Sequence, residues 1–281
     1  MTFFQAILMG LIQGLTEFLP VSSSGHLVLT SSLYKFFTNK DFITNSSQEV
    51  VFDMILHVGT LIAVVVYFRK EIIEILGAFF KACKNRNFDE PLAKLGVYII
   101  IGTFFTVLVA YPLKDFTESL LLKPVIVGCI LICTGLILFA GEFVSKNLKN
   151  KNDEITLKTA ILTGIAQGLA AFPGLSRSGT TISVALMTGL DRVKAAKYSF
   201  LLSLPIILCA SIFYPLLEVD FAEFATYSWM PILAGFLTAG VSGYLCIKYF
   251  LKFLNKYSMN VFAIYCIFIG IFSIVFFKFA M

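Results

Sequence analysis

Long apolar runs separated by short polar linkers dominate the chain. Six of these runs have about the 20 residues that a helix needs to cross a bilayer, and they lie at 51–68, 95–113, 124–142, 198–217, 229–248 and 260–280. The charged segment 69–94 lies between the first two, and it repeats apolar residues at helical spacing, at Ile72, Ile75, Leu76 and Phe79. This spacing predicts an amphipathic helix on the membrane surface. The polar stretches 35–50 and 143–158 predict linkers.

Two further apolar segments, 3–34 and 159–190, are interrupted near their middle. The interruptions fall at Pro20 and Gly25 in the first segment and at Pro173 and Gly174 in the second. Proline cannot continue a helix and glycine allows a left-handed turn, so each segment predicts two half-helices that enter and leave on one side of the membrane. Broken backbone at membrane depth is tolerated only where it is buried in protein or lines a wet cavity.

The two broken segments are copies of one another. Residues 6–25 placed over 160–179 without a gap give eleven identities in twenty positions, at a constant offset of 154. Three predicted crossings follow each copy, and an odd number of crossings inverts the second half relative to the first. The sequence therefore predicts an all-α polytopic membrane protein, with six spanning helices and two re-entrant helical hairpins in an inverted-topology repeat. The single membrane domain, 1–281, would divide into halves at about 1–145 and 155–281.

Composition and charge agree with a membrane protein. Hydrophobic residues make up 58% of the chain, charged residues only 14%, and the mean hydropathy is +0.88, which excludes an ordinary soluble domain. The net charge of +5 is then expected in membrane-flanking loops, and no nucleic-acid partner is expected. Sixteen of the 22 Lys and Arg residues fall on one predicted side and five on the other, so the first side is predicted to be cytoplasmic. The first hairpin would enter from the extracytoplasmic face and the second from the cytoplasmic face.

Chemistry-bearing residues concentrate in the first hairpin, in the stretch QGLTEFLPVSSSGH that begins at Gln13. Glu17 and His26 are acid/base candidates, and Ser23 or Ser24 could be a nucleophile activated by one of them. Gln13 lies one helical turn before Glu17 and could share with it a divalent cation, Mg²⁺ or Ca²⁺. The simpler alternative is a polar loop between two short interfacial helices.

The remaining titratable and thiol residues suggest less. His57 lies in a predicted spanning helix one turn after Asp53, and it is interpreted as a polar contact of that residue rather than as a ligand. The six cysteines lie mostly inside apolar segments and are interpreted as packing residues.

The second hairpin carries FPGLSRSGTT, a glycine-flanked turn that leads into a helix. Backbone N–H groups at such a turn form a cradle for anions, and Arg177 adds a planar donor suited to phosphate oxygens. The serine-rich turn of the first hairpin could do the same from the opposite side, which predicts a substrate with more than one phosphoryl group. The predicted phosphate-binding residues are Ser22, Ser24, Gly25, Ser176, Ser178, Gly179 and Thr181. Alternatively the hydroxyls only satisfy the backbone of the turns, which leaves Arg177 unexplained.

Both motifs resemble the signatures of the bacterial undecaprenyl-diphosphatase family, also called the bacitracin-resistance family. The resemblance implies removal of the terminal phosphate from undecaprenyl diphosphate, a polyprenyl lipid carrier of cell-wall synthesis, together with a divalent cation, bacitracin resistance and a location in the bacterial inner membrane. It implies that Glu17 belongs to the catalytic acidic motif, Ser23 and His26 to the nucleophile and base region, and Ser176, Arg177 and Thr181 to phosphate binding, so the predicted catalytic residues are Glu17, Ser23, His26 and Arg177. Gln13 stands where many members carry Glu. The oligomeric state of the protein stays open, and a homodimer is one possibility.

A second class of function shares these features. Inverted repeats with broken helices are typical of secondary transporters, so a transporter or a lipid flippase is the competing hypothesis. A serine beside Glu and His is more than transport requires, which favours the enzyme. A structural scaffold would need neither Glu17 nor Arg177. Phosphate release by the purified protein distinguishes these hypotheses.

Overall fold

The computed structural model describes residues 1–39, 46–148, 154–213 and 227–280, and the regular secondary structure within them is entirely helical. The α-helices are α1 Phe3–Phe18, α2 Ser23–Thr38, α3 Ser46–Tyr67, α4 Arg69–Asn85, α5 Pro91–Ala110, α6 Lys114–Glu118, α7 Pro124–Asn147, α8 Leu157–Leu169, α9 Arg177–Met187, α10 Arg192–Leu208, α11 Trp229–Leu254 and α12 Asn260–Ala280. A 3₁₀ turn, Tyr111–Leu113, precedes α6, and a short π-helix, Cys209–Phe213, follows α10.

Five helical segments among the described residues are long and apolar enough to cross a membrane: Pro91–Glu118, Pro124–Asn147, Arg192–Ser211, Trp229–Leu254 and Asn260–Phe279. Helices α3 and α4 meet at an angle of 76° and make a sixth candidate if the bent pair is counted as one span. The chain is thus an all-α polytopic membrane protein, as predicted. The sequence analysis instead predicted 51–68 as a span by itself and 69–94 as a surface helix, so the count of six spans stays a prediction.

Several predicted boundaries differ from the observed ones. The span predicted at 198–217 begins earlier, at Arg192, because Asp191 caps the helix by accepting a hydrogen bond from the Lys194 backbone N–H at 2.9 Å. Residues 214–217, and parts of the linkers 35–50 and 143–158, lie outside the described residues.

The predicted amphipathic helix in 69–94 is α4, but the prediction of which residues form its packed face was partly wrong. Ile75 is buried, whereas Leu76 is 48% exposed and belongs to the outer face. The packed face includes the small residues Ala78 and Ala82, which hydrophobic spacing alone passes over.

The four helices of the two predicted hairpins are too short to span. Helices α1 and α2 have 16 residues each, α8 has 13 and α9 has 11. At about 1.5 Å per residue even the longest reaches roughly 24 Å, less than the roughly 30 Å of a hydrocarbon core. The re-entrant course of each hairpin stays a prediction.

The first hairpin turns at a residue other than the predicted one. Ser22 adopts the positive φ, 71°, whereas Gly25 lies in the first turn of α2. Gly25 is instead required by close approach, since a Cβ there would lie 3.1 Å from the Gly174 Cα. In the second hairpin Gly174 itself has the positive φ, 95°.

The first helix of each hairpin packs through glycines on a long helix from the other predicted half. Gly10 of α1 lies directly against the Gly235 backbone of α11, and Gly164 of α8 lies against the Gly102 backbone of α5. Gly10 and Gly164 are equivalent at the offset of 154. Small residues let helix backbones approach closely in membranes, so the shared glycines explain why the two contacts match. The boundaries of the halves stay a prediction.

An aromatic cluster anchors the end of α1. Phe18 packs edge-on against Phe200 of α10, with ring centroids 5.4 Å apart. Phe68, between α3 and α4, and Phe250 of α11 also contact Phe200. All four rings are buried. The cluster fixes the last turn of α1, where Glu17 lies.

A buried carboxylate ties three helix ends together. Glu142 of α7 accepts two hydrogen bonds from Arg192, at 2.8 and 2.7 Å, and a third from the Met259 backbone N–H at 2.8 Å. These residues begin α10 and precede α12, so the carboxylate joins α7 to both helices. The sequence analysis did not predict this contact.

Candidate active site

The tips of the two hairpins contact one another. A Cβ on Gly25 would lie 3.1 Å from the Gly174 Cα, and a Cβ on Gly179 would lie 3.2 Å from the Pro20 Cβ. Gly25 and Gly179 are equivalent at the offset of 154, and so are Pro20 and Gly174, so each tip makes the same contact on the other. The N-termini of α2 and α9 are thereby brought together, and helix N-termini attract anions.

Glu17 is the side chain on which both hairpins converge. It is only 6% exposed, and its Oε1 accepts a hydrogen bond from Arg177 Nη2 at 2.7 Å. Its Oε2 accepts from Ser23 Oγ at 2.6 Å and from Gln13 Nε2 at 3.0 Å. The structure thus brings three predicted site residues into contact with the carboxylate of a fourth. Arg177 and Ser23 occupy equivalent positions of the two copies.

Two polar atoms beside Glu17 have no hydrogen-bond partner among the described residues. Arg177 Nη1 is one, on a side chain that is 16% exposed, and Gln13 Oε1 is the other. A buried polar group without a partner costs about 1–3 kcal/mol, so such groups concentrate where a ligand or water completes them. The free guanidinium donor suits a phosphate oxygen, and the free amide oxygen suits a hard cation.

His57 is a neighbour of Glu17 that the sequence analysis treated as a structural residue. Its Nε2 lies 3.8 Å from Glu17 Oε2, while its Nδ1 lies 2.8 Å from the backbone carbonyl oxygen of Asp53. The predicted contact with Asp53 exists, but it is made through the main chain. The imidazole therefore faces the carboxylate with its second nitrogen. One signal was available in the sequence. An ionisable side chain in an apolar span is costly, so a histidine there indicates a functional site.

The hydrogen bonds of the His26 ring go to groups other than Ser23 and Glu17. Its Nδ1 lies 2.8 Å from the Ser22 carbonyl oxygen and its Nε2 lies 2.8 Å from the Tyr265 hydroxyl of α12. Of the two acid/base candidates, Glu17 is the one that forms a hydrogen bond with Ser23 in the described part of the chain. Tyr265 was not predicted, because nothing local in α12 distinguishes it from the other tyrosines of the chain.

Most of the predicted phosphate-binding hydroxyls already bond to protein. Ser22 and Ser176 cap their helices by accepting from the Gly25 and Gly179 backbone N–H groups at 3.3 and 3.1 Å. Ser178 donates to the Leu19 carbonyl at 3.0 Å. The hydroxyls of Ser22 and Ser24, and likewise of Ser176 and Ser178, lie 3.3 Å apart. For these residues the simpler alternative, support of the turns, matches the contacts, and phosphate binding stays a prediction.

The hydroxyl of Thr181 bonds within α9 and to α10. Its hydroxyl donates to the Arg177 carbonyl at 2.7 Å and lies 2.6 Å from Ser199 Oγ on α10. The side chain is fully buried. Its contacts hold α9 against α10, and its phosphate-binding role stays a prediction.

The turn carbonyls are satisfied by side chains from the last long helix of the opposite half. Cys266 Sγ donates to the Pro20 carbonyl at 3.6 Å, and Thr134 Oγ1 donates to the Gly174 carbonyl at 2.8 Å. Backbone groups freed from helices at membrane depth need such partners. The sequence analysis treated Cys266 as a packing residue and did not select Thr134. All six cysteines are free thiols.

The residues present offer a small oxygen-donor set for a cation. No group of three or more His, Cys, Asp or Glu side chains with metal-site geometry occurs in the part of the chain that the structure describes. The available donors are the Glu17 carboxylate and the unpartnered Gln13 Oε1. Oxygen donors of this kind fit Mg²⁺ or Ca²⁺, which commonly complete their shells with water and phosphate oxygens.

Comparisons with known proteins identify relatives over nearly the whole chain. The family model described as bacitracin resistance protein BacA matches residues 6–272. The chain is 38% identical over 276 residues to undecaprenyl-diphosphatase 1 of Pseudoalteromonas translucida, covering 98% of this chain and 99% of the relative. It is 41% identical over 273 residues to an undecaprenyl-diphosphatase of Carboxydothermus hydrogenoformans, covering 96% of each. For a relative of the same name from Treponema denticola the identity is 39% over 286 residues, covering 100% of each.

Proposed function

The chain belongs to the bacitracin resistance protein BacA family, and on that premise we propose that it is an integral-membrane phosphatase that hydrolyses undecaprenyl diphosphate. The products are undecaprenyl phosphate and inorganic phosphate. The reaction returns the lipid carrier to cell-wall synthesis and confers bacitracin resistance. One observation carries the proposal: a serine from the first hairpin and an arginine from the second contact the same buried carboxylate, at 2.6 and 2.7 Å.

Ser23 and Glu17 form the proposed nucleophile and base. The Ser23 hydroxyl already donates a hydrogen bond to Glu17 Oε2, the geometry that a general base requires. Attack on the terminal phosphorus forms an Oγ–P bond and breaks the bond between that phosphorus and the bridging oxygen. The proton passes to Glu17, and undecaprenyl phosphate leaves. Water then cleaves the phosphoserine and releases inorganic phosphate.

A direct attack by water is the alternative for the same residues. Glu17 or His26 would then activate the water, and Ser23 would only donate a hydrogen bond to the phosphate. The 2.6 Å contact between Ser23 and Glu17 favours the covalent route, because it provides the hydroxyl with its base before substrate arrives.

Arg177 is proposed to bind the phosphoryl group that is transferred. Its Nη2 holds Glu17 while its Nη1 remains a buried donor without a partner among the described residues. A phosphate oxygen accepting from Nη1 would place the phosphorus beside Ser23. The N-termini of α2 and α9 add positive ends of helix dipoles to the same place. Charge that develops in the transition state is stabilised by such fixed donors.

A divalent cation, Mg²⁺ or Ca²⁺, is proposed to bind at Glu17 and Gln13. The cation would supply charge neutralisation for the diphosphate and its leaving group. The unpartnered Oε1 of Gln13 supports this assignment.

The transporter or flippase hypothesis is not supported. The curated relatives are named as diphosphatases, and a serine hydroxyl bonded to a buried carboxylate has a clear use in hydrolysis. Transport across the membrane does not require such a pair.

The protein is a multi-pass membrane protein, and we place it in the bacterial inner membrane with its site opening to the extracytoplasmic face. The support is the unequal distribution of Lys and Arg, with sixteen on the predicted cytoplasmic side. The substrate is a membrane lipid, and a homodimer is the assembly we propose to test by cross-linking.

A phosphate-release assay on purified protein in detergent tests the function. Wild-type protein should release phosphate from undecaprenyl diphosphate, and addition of a chelator should stop it until Mg²⁺ or Ca²⁺ is restored. Arg177→Ala should lose nearly all turnover, and Arg177→Lys should recover only a part, because lysine lacks the planar fork. Full activity of the folded Arg177→Ala variant would move the phosphate site elsewhere.

A further inference from the structure

His26 has a side-chain partner from the far end of the sequence. The Tyr265 hydroxyl lies 2.8 Å from His26 Nε2, and the two rings are parallel within 6°, with centroids 5.6 Å apart. The other ring nitrogen, Nδ1, lies 2.8 Å from the Ser22 carbonyl oxygen. A carbonyl only accepts hydrogen bonds, so Nδ1 carries the proton in the neutral ring and Nε2 accepts from the tyrosine. The two contacts together fix one tautomer and one orientation of the imidazole.

The tyrosine contact goes beyond what is needed to hold the hairpin. The next residue, Cys266, already donates to the Pro20 carbonyl at the tip of the first hairpin. Thr134 makes the matching contact on the Gly174 carbonyl of the second hairpin. The scaffold contact is therefore present on both hairpins.

Within the described ranges, the second hairpin has no counterpart of the tyrosine contact. The residue equivalent to His26 is Thr180, whose Oγ1 is buried without a hydrogen-bond partner among the described residues. The residue before Thr134 is Cys133, an exposed thiol. The hydrogen bond from a helix of the second half to the ring thus occurs on the hairpin that carries Glu17 and Ser23.

We propose that Tyr265 is a positioning residue for the phosphatase reaction, acting through His26. It holds the imidazole in the Nδ1–H tautomer, so that Nε2 is the nitrogen able to take up a proton. A hydroxyl donates and accepts at once, and the tyrosine oxygen therefore stays open to a proton donor while it bonds to Nε2. The role of this ring in a reaction rests on the proposed function. The tautomer rests only on the two hydrogen bonds of the ring.

Imidazole nitrogen NMR tests the positioning without any substrate. The chain has two histidines, so ¹⁵N labelling of histidine gives two ring systems, and His57→Gln assigns them. In the wild-type protein we expect His26 to be one tautomer with a protonated Nδ1. Tyr265→Phe, which keeps the ring, should move the Nε2 resonance of His26 and leave His57 unchanged. An unchanged Nε2 resonance would overturn the proposal.

A double-mutant cycle tests the functional part. Loss of one positioning hydrogen bond in Tyr265→Phe should lower kcat about three- to tenfold with KM within about twofold, in line with the net value of a single bond. Combined with His26→Asn, the same substitution should cost nothing further, because its effect passes through the ring. Tyr249→Phe, on an α11 tyrosine that is 60% exposed, is the matched control and should behave as wild type.

The outcomes separate the two proposals. Equal losses with and without His26, or a rise in KM alone, would mean that Tyr265 acts on substrate binding or on the fold rather than through the histidine. Absence of phosphate release from the wild-type protein would overturn the proposed function, while the NMR result would still decide the tyrosine. If His26→Asn alone has no measurable turnover, the NMR result decides whether Tyr265 positions the His26 ring.

Discussion

Substituting Glu17 by Gln should separate substrate binding from catalysis. In the structure Glu17 holds Arg177 at 2.7 Å, so the charge of the guanidinium that should bind phosphate through Nη1 is already partly neutralised. Glutamine keeps the size of the side chain and an oxygen that can accept from Arg177, but it removes the negative charge. We therefore expect phosphate to bind more tightly to the variant while turnover falls.

The size of the effect follows from the contact that is weakened. A hydrogen bond to a charged group contributes about 1.5–3 kcal/mol and a neutral one about 1 kcal/mol. The difference, roughly 1 kcal/mol, corresponds to about fivefold tighter binding, since about 1.4 kcal/mol is tenfold. Turnover should fall by about 10²-fold or more, because the variant has no general base for Ser23.

Two measurements on the same preparation check this prediction. The Kd of inorganic phosphate, the product, is measured by calorimetry, and kcat by phosphate release. Arg177→Ala is the matched control, since it removes the other partner of the ion pair and should weaken phosphate binding. Unchanged or weaker phosphate binding in a folded Glu17→Gln protein would refute the view that the charge of Glu17 weakens phosphate binding at Arg177.

Three further predictions concern the cation, the fold and the orientation. Gln13→Glu should stay active and need less Mg²⁺ for half-maximal phosphate release, because a second carboxylate beside Glu17 binds the cation more tightly than an amide oxygen does. An inactive Gln13→Glu variant at saturating Mg²⁺ would reverse the roles assigned to Gln13 and Glu17. Glu142→Gln should destabilise the protein by about 2 kcal/mol, as a weakened set of buried hydrogen bonds implies, which a lower unfolding temperature in detergent would show while the KM of the remaining folded enzyme stays unchanged. With the native cysteines replaced, a cysteine at Lys123 should react with an impermeant thiol reagent from outside intact cells and one at Lys252 should not; the opposite pattern would invert the orientation.

The helices and the two hairpins could be predicted because their signals are local. Apolar length gave the spanning segments, and the breaks at Pro20 and Gly174 gave the turns. The resemblance of the two motifs to a known family added one long-range inference, that Glu17 in one copy and Arg177 in the other belong to one catalytic site. The 2.7 Å contact of Glu17 with Arg177 confirms that these two side chains meet.

Contacts that depend on how distant helices pack could not be predicted in this way. His57 lies near Glu17, and Tyr265 bonds to His26, only because α3 and α12 pack beside the first hairpin. The Glu142–Arg192 pair joins residues 50 positions apart, and neither residue has a periodic signal that indicates the other. The left-handed residue Ser22 was missed for a different reason, since glycine was available three residues later and is the usual choice.

Trapping a phosphorylated intermediate tests most directly the claim that the two hairpins form one phosphatase site with Ser23 as its nucleophile. Undecaprenyl diphosphate labelled on the terminal phosphate is mixed with enzyme, quenched within a turnover and digested, and the labelled peptide is located. The account predicts label on Ser23, no label in Ser23→Ala, and almost no turnover in that variant. Absence of trapped label, together with a Ser23→Ala variant that loses only about 10²–10³-fold, as for one lost transition-state hydrogen bond, would contradict it and assign the attack to water.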